Sequence, residues 1–253
     1  KKDKIFDKKI LELSNIRTYT GVKNVNLTIN KGEIVGLLGL VGSGRTEILR
    51  SIFGIDQVQS GSIKYENEIT NFKKVEDAIN KGIVMIPEDR RKLGLVFTQN
   101  TKSNISITNL NNVSKNQVID TQKEMKLVKD LINLLDIKPT STNGNIAFYS
   151  GGNQQKVLFA KWIFNSPKLI LLDEPTRGID VGAKRKIYEL INNLSSKGVA
   201  ILLVSSELEE VMGLADRAYL VKEGETINEI IPYQTSIDNV LFELFGAEKV
   251  SNE

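Results

Sequence analysis

The chain has 253 residues, 40% of them hydrophobic and 26% charged, with a formal net charge of +3. That length and apolar share can bury a substantial core in one large domain or two small ones, and so mild a charge argues against a nucleic-acid surface. There is no cysteine and no histidine, which excludes disulfides, thiolate chemistry, Ser–His–Asp catalysis, histidine metal sites and a histidine proton relay.

Lys1, Lys2, Lys4, Lys8 and Lys9 alternate with Asp3 and Asp7 and read as a solvated arm. No apolar run is long enough to cross a bilayer, and the start lacks the charged-then-apolar layout of a signal peptide. Contact with a membrane is therefore expected to run through a partner. The chain begins without methionine, which fits a piece cut from a longer one.

Ile10, Leu11 and Leu13 open a strand, and Val25, Leu27 and Ile29 alternate with polar residues in a second. Tyr19 stands ahead of that second strand and reads on sequence as an ordinary packed or surface tyrosine. Lys31–Gly32 turns the chain into the apolar run Ile34 to Leu38. There follows GLVGSGRT, Gly39 to Thr46, and then Glu47 to Phe53 with apolar residues at helical spacing. A buried strand that turns through glycines into a helix converges backbone N–H groups and a helix dipole on one point, where a phosphate can sit. This is the outline of a P-loop, although Arg45 occupies the lysine position. A glycine-rich turn of this kind also occurs as plain packing, so the rest of the chain must decide.

Ser62 to Tyr65 and Ile69 read as short antiparallel strands, Val75 to Asn80 as a short helix, and Ile83 to Ile86 as a buried strand stopped by Pro87. Glu88, Asp89, Arg90 and Arg91 follow at once, where open α/β sheets place ligand contacts. Residues 98–144 are polar and Asn-rich, with one amphipathic helix through Leu127, Val128, Leu131, Ile132, Leu134 and Leu135. This stretch reads as a helical insertion with its own small core. Gln154 to Phe164 is expected to be helical, Lys168 to Leu172 a strand, Ala183 to Lys197 a helix, and Val199 to Val204 a strand. Glu207 to Leu214 reads as a helix, Ala218 to Val221 as a last strand, and Thr235 to Phe245 as a docking helix. The alternation implies an α/β fold with a mostly parallel sheet covered by helices.

Two constellations carry chemistry. Leu169 to Leu172 leads to Asp173 and Glu174 at the carboxyl end of a strand; beside a P-loop, the first acid holds magnesium through its water shell and the second accepts a proton from the attacking water. The bland alternative is a strand ending in a solvated acidic turn. Ser150, Gly151, Gly152, Asn153 and Gln154 open a helix with a serine N-cap and exposed backbone donors, a second anion-binding end or a mere cap. A cap needs no glycine pair.

YSGGNQQKV, LILLDEPTRGID and LLVSSELEEV resemble the signature, Walker B, D-loop and switch segment of an ATP-binding cassette (ABC) ATPase. The resemblance runs from about Ile10 to Glu225. GLVGSGRTE, PEDRRKLGL, YSGGNQQK and DEPTRGIDVGAK are most similar to the second, C-terminal cassette of the tandem ATPases that power bacterial ribose, galactose and xylose uptake. It implies one nucleotide-binding domain over residues 1–253. Its ATP-binding P-loop core with an antiparallel β subdomain would take 1–86 and 149–253, and a helical subdomain with the Q-loop region 87–148.

By position the resemblance implies a nucleotide-binding loop of Gly39, Gly42, Ser43, Gly44, Arg45, Thr46 and Glu47. Tyr19 would stack on adenine, and Thr46, Asp173 and Glu88 would serve Mg2+. Glu174 would be the catalytic base, with Glu88 and Ser206 at the positions of the magnesium- and water-contacting glutamine and the switch histidine. Ser150 to Gln154 would reach ATP in the site of a partner cassette, either an N-terminal one or a second copy, and Asp180 would couple the two sites. Transmembrane permease subunits would hold the pair at the cytoplasmic face of the membrane, with a periplasmic or lipoprotein sugar-binding protein as an indirect partner and no nucleic acid.

Three departures fall on the chain's own site: Arg45 for lysine, Glu88 for glutamine, Ser206 for histidine. A planar guanidinium substitutes poorly for a compact ammonium between two phosphates. The signature keeps its form apart from Tyr149 in place of leucine. These changes imply a half that binds nucleotide, hydrolyses it slowly and lends its signature to a competent partner. A nucleoside importer is the alternative within transporters. A soluble cassette acting on nucleic acid would need coiled-coil arms or basic linkers that are missing, and SGGNQQ followed by DEPTRGID argues against a small-molecule kinase.

Overall fold

All five residues of strand β3 (Ile34–Leu38) are buried. A strand in the middle of a parallel sheet is covered on both faces, so its alternate side chains enter two different cores. In the computed structural model, which describes residues 6–245, Ile34 and Leu38 join one hydrophobic cluster and Val35 and Leu37 the other. The same alternation runs through β6 (Ile83–Ile86), β9 (Leu169–Asp173) and β10 (Ala200–Val204). Val84, Ile170 and Ile201 face the first cluster, Met85, Leu171 and Leu202 the second. With β11 (Arg217–Lys222) and β12 (Glu225–Ile230) they form a six-stranded sheet in the order β12-β11-β3-β10-β9-β6. Every pairing is parallel except the edge hairpin β11–β12. The sequence reading did not anticipate β12, which is mostly polar.

A second, antiparallel sheet has the order β2-β1-β4-β5, built from β1 (Lys9–Thr18), β2 (Val25–Asn30), β4 (Val58–Tyr65) and β5 (Glu68–Thr70). Its inward residues, Leu11, Leu13, Leu27, Ile29 and Ile63 among them, share the second cluster with Ile48, Leu49 and Ile52 of α1 (Arg45–Ile52). The lysine-rich arm divides at the edge of the described residues: Lys8 and Lys9 are exposed as expected, and Lys1, Lys2, Asp3 and Lys4 lie outside them.

The other helices are α2 (Val75–Asn80), α3 (Thr101–Ser106), α4 (Thr121–Leu134), α5 (Gly151–Ile163), α6 (Val181–Ser196), α7 (Leu208–Leu214) and α8 (Ile237–Phe245). A side chain at Gly36 would put its Cβ 2.2 Å from Val211 Cγ1, so glycine in β3 is what lets α7 lie against the sheet. Helix α8 docks as expected, burying Val240 and Leu244 toward α7 and β11.

The helical insertion departs from expectation. Besides α3 and α4 it holds a small hairpin, β7 (Ser114–Lys115) with β8 (Val118–Ile119). It also has no separate core, because Val113, Val128, Ile132 and Ile146 belong to the same cluster as Ile170 and Leu172. The reason is α5, whose residues Gln154 to Lys161 are all buried; Val157, Leu158 and Phe159 join the insertion to the sheet. Trp162, the chain's one tryptophan, sits near the end of α5 with its ring edge-on to Phe53, which caps α1, at 6.3 Å between centroids.

Phe159 is fully buried, and its truncation leaves a cavity in the cluster that joins the insertion to the sheet. Phe159→Ala is expected to lower stability by about 3–5 kcal/mol, read as a fall in the urea midpoint with little change in slope.

Candidate functional site

The loop from β3 to α1 is shaped by contact. A Cβ at Gly39 would lie 2.4 Å from Val221 O and 2.5 Å from Ser43 Oγ. Gly42 and Gly44 have φ of 80° and 102°, left-handed values that side chains resist. Space beside Gly42 is open, with nothing within 4 Å of where a Cβ would be. Ser43 N–H donates to Leu40 O at 3.0 Å, and Gly224 N–H donates to Ser43 O at 2.8 Å. Ser43 Oγ is buried without a hydrogen-bond partner. Glu47 lies in the first turn of α1, where a negative charge suits the helix dipole. Tyr19 is 75% exposed in the turn after β1, and Lys23 in that turn donates to Gly224 O at 2.8 Å. A single glycine thus separates the turn of Tyr19 from the loop.

Thr46 and Arg45 face the ends of β9 and β10. Thr46 Oγ1 donates to Asp173 Oδ1 at 3.2 Å. Arg45 is buried, and its Nη1 donates to the carbonyl of Ser205 at 2.7 Å. Burial lowers the guanidinium pKa while the charges of Glu174 and Asp173 oppose that shift. Asp173 is 3% exposed, and its pKa is pushed up to about 6, first by burial and further by Glu174, against the Thr46 hydrogen bond and Arg45. Glu174 has φ 49°, an uncommon left-handed value for a residue with a side chain. Its N–H donates to Val204 O at 2.9 Å, and its carboxylate accepts from Ser206 Oγ at 3.0 Å. Five predicted residues therefore meet at the carboxyl ends of three adjacent strands, β3, β10 and β9.

Glu88 is placed differently. Its carboxylate pairs with Arg177 rather than with Thr46 or Asp173, in a small surface cleft with Asp89, Arg90, Arg91 and Gly178.

The predicted signature starts α5. Ser150 is exposed, and its Oγ accepts from Asn153 Nδ2 at 2.9 Å. The glycine pair has a steric explanation. A Cβ at Gly152 would lie 2.6 Å from Ala183 Cβ of α6, and one at Gly151 would lie 3.0 Å from Arg90 Nη2 and 3.2 Å from Gly178 O. Gln154 is buried and donates to Ile146 O and Tyr149 O at 3.2 and 3.0 Å, so it supports the loop ahead of the helix. Asp180 caps α6 by accepting from Ala183 N–H at 3.0 Å.

Sequence reasoning missed a layer beneath these residues. Glu210 of α7 is buried and accepts hydrogen bonds from Ser205 Oγ and, at 2.9 Å, from Thr176 Oγ1; burial raises its pKa. An acid in the first turn of a helix reads as solvated, and only the fold buries this one. Arg90 stood in the charge cluster after β6, but its bonds to Gln154 and to the carbonyls of Arg177 and Gly178 had no signal in the sequence.

Among the described residues no group of three or more His, Cys, Asp or Glu side chains is arranged to hold a metal. One hydroxyl and one carboxylate 3.2 Å apart are hard oxygen donors, too few for a protein cage. They fit an ion such as Mg2+ that keeps waters and binds substrate phosphates.

In protein free of metal and nucleotide, Asp173 keeps its proton up to about pH 6 when folded but only to about pH 4 when unfolded. Its contribution to stability is therefore lost as pH rises through that window. Asp173→Asn is expected to be about 2–3 kcal/mol more stable than the parent at pH 7, with the difference vanishing toward low pH in thermal unfolding scans.

Residues 22–177 match the ABC transporter family. The ribose import ATP-binding protein RbsA of Bacillus licheniformis is 45% identical over 221 residues, 87% of this chain and 45% of that protein. RbsA of Bacillus subtilis is 42% identical over 233 residues, 92% of this chain and 47% of that one. The chain thus spans about half the length of these curated relatives. A crystal structure of a nucleotide-free ATP-binding cassette from an ABC transporter superposes with a TM-score of 0.78 at 22% identity, covering 94% of this chain and 97% of that one. The ATP binding subunit of another ABC transporter gives 0.75 at 21% identity, covering 94% and 100%. Sequence likeness across nearly the whole chain and a shared cassette fold agree with the glycine loop and acids that meet here: the chain belongs to the ABC transporter family.

Proposed function

We propose that the chain is the nucleotide-binding domain of an ATP-driven importer of a monosaccharide of the ribose, galactose and xylose class, acting as the second cassette of a tandem ATPase. The observation that carries ATP binding is the Thr46–Asp173 contact at the mouth of the glycine loop. There the Thr46 hydroxyl and Asp173 would hold Mg2+, backbone N–H groups of Gly42 to Thr46 would bind nucleotide phosphates, and Tyr19 would lie against the base. Bound metal supplies charge stabilisation to the transferred phosphoryl group. Support for sugar import comes from the relatives, which are ribose import proteins.

The chain's own site is read as poorly hydrolytic. Arg45 spends a donor on Ser205 O, and swinging it toward phosphates breaks that bond. Glu88 is committed to Arg177. Ser206 donates to Glu174, occupying a lone pair that an attacking water needs, and serine cannot contribute the positive charge a protonated histidine could. Removing one charge-positioning group from such a site costs about 3–4 kcal/mol. Ser150 and Gly151, at the accessible rim of α5, would instead complete the site of a partner cassette, and Asp180 lies beside them. The pair would sit on permease subunits at the cytoplasmic face of the membrane, with a sugar-binding protein delivering substrate on the other side.

The test is ATP binding and Mg-ATP turnover measured in the same samples over a range of protein concentration. Binding without appreciable turnover is expected, and the triple change Arg45→Lys, Glu88→Gln, Ser206→His should raise turnover by about tenfold or more. Turnover by the unaltered chain that climbs faster than linearly with its concentration would overturn the degenerate-site reading, and absence of ATP binding would overturn the nucleotide reading itself.

A further inference from the structure

The wide helical turn Arg90–Gly94 after β6 is fastened along one stripe of α5. Asp89 caps the turn, its Oδ1 accepting from Arg91 and Lys92 N–H at 3.0 Å each. Gly94 packs so closely on Leu158 that a Cβ there would lie 2.9 Å from Leu158 Cδ2, and Gly94 O accepts from Lys161 Nζ at 2.7 Å. At the other end Arg90 Nε reaches Gln154 Oε1 at 3.4 Å. Gln154, Leu158 and Lys161 follow helical spacing i, i+4, i+7, so the turn rides on a single face of α5.

Arg90 has donors to spare, and they leave α5. Its Nη1 donates to Arg177 O at 3.0 Å and its Nη2 to Gly178 O at 3.2 Å. These are adjacent carbonyls of the segment between Glu174 and Asp180. Only a guanidinium, with several donors in one rigid plane, serves a side-chain amide and two carbonyls at once. The neighbouring Glu88–Arg177 ion pair joins the same two segments, but Arg177 is largely exposed and Glu88 only half-buried, and pairs open to solvent contribute little.

We propose that Arg90 is a positioning residue that locks the start of α5 (Ser150, Gly151) and the 177–180 segment into one body with the turn after β6. The residues that would be presented to a partner cassette from α5 and from Asp180 then move together, and with Glu88. A displacement of the turn is transmitted to both. The functional consequence rests on the reading of this chain as a signature-lending cassette, whereas the clamp itself is testable without it.

Hydrogen exchange on the full 253-residue chain reads the clamp. Arg90→Ala is expected to speed amide exchange about tenfold in peptides covering 149–154 and 176–181, leaving the P-loop peptide 42–48 and the affinity for ATP unchanged. Arg90→Lys, with one compact donor group, should fall between. Low concentrations of guanidinium ion added to Arg90→Ala should refill the site and slow exchange again in those two segments, which a merely structural lesion would not permit. Unchanged exchange at 149–154 and 176–181, a uniform rise across the whole chain, or no reversal by guanidinium would overturn the proposal. Failure of the unaltered chain to bind ATP would count against the nucleotide reading and leave the exchange result to decide the clamp.

Discussion

Everything at the site depends on β3 being buried on both faces. A strand covered on one side only would end at a surface; this one, held between β10 and β11, ends where the loops after β3, β9 and β10 meet. The two-sided burial requires apolar side chains at every position but one, and the exception, Gly36, is set by the approach of α7. The helix so admitted carries Glu210, which fixes Ser205 and Thr176. Ser205 offers its carbonyl to Arg45 and Ser206 its hydroxyl to Glu174. One missing methyl group in β3 therefore admits the helix whose Glu210 holds Ser205 and Thr176.

The electrostatics follow from the same crowding. Asp173 is buried beside Glu174 with one hydroxyl and one guanidinium as nearby favourable partners. Two carboxylates that close favour the arrival of positive charge, and a divalent ion with its waters supplies it. Arg45 partly performs this service in the free protein. In this arrangement a residue that departs from the family pattern still has a structural task, which is to neutralise acids. Its position also ties it to the backbone carbonyl of Ser205.

Much of this was legible in the sequence, for a definable reason. The glycine loop, the Asp173–Glu174 pair and the Ser150 cap are local: their chemistry lies within a few residues and their spacing exposes it. Strands β3, β6, β9 and β10 were legible as unbroken apolar runs. What sequence could not give was whatever depends on residues far apart in the chain. Gly151 and Gly152 looked like an excess of backbone donors, yet close packing against Ala183 and Gly178 accounts for them. Gln154 sat in a motif and proved to be scaffolding. The bonds of Glu210 to Thr176 and of Arg90 to the Arg177 carbonyl span 34 and 87 positions, which no local pattern reveals. The helical insertion reads as self-contained since its amphipathic face is visible, while the burial of α5 on all sides, polar residues included, merges it with the main core and is a property of another segment. Strand β12 escaped because its alternation is polar on nearly every residue.

Trp162 brings one of these features within reach of light. As the chain's single indole, it stands where the last turn of the helix following the glycine loop touches the helix that begins at Ser150, packed against both hydrophobic clusters. A change in how α1 meets α5 alters the solvent and ring neighbours of that one chromophore. The fold thus carries its own fluorescent gauge of that contact, with no competing emission from other tryptophans and no label to attach.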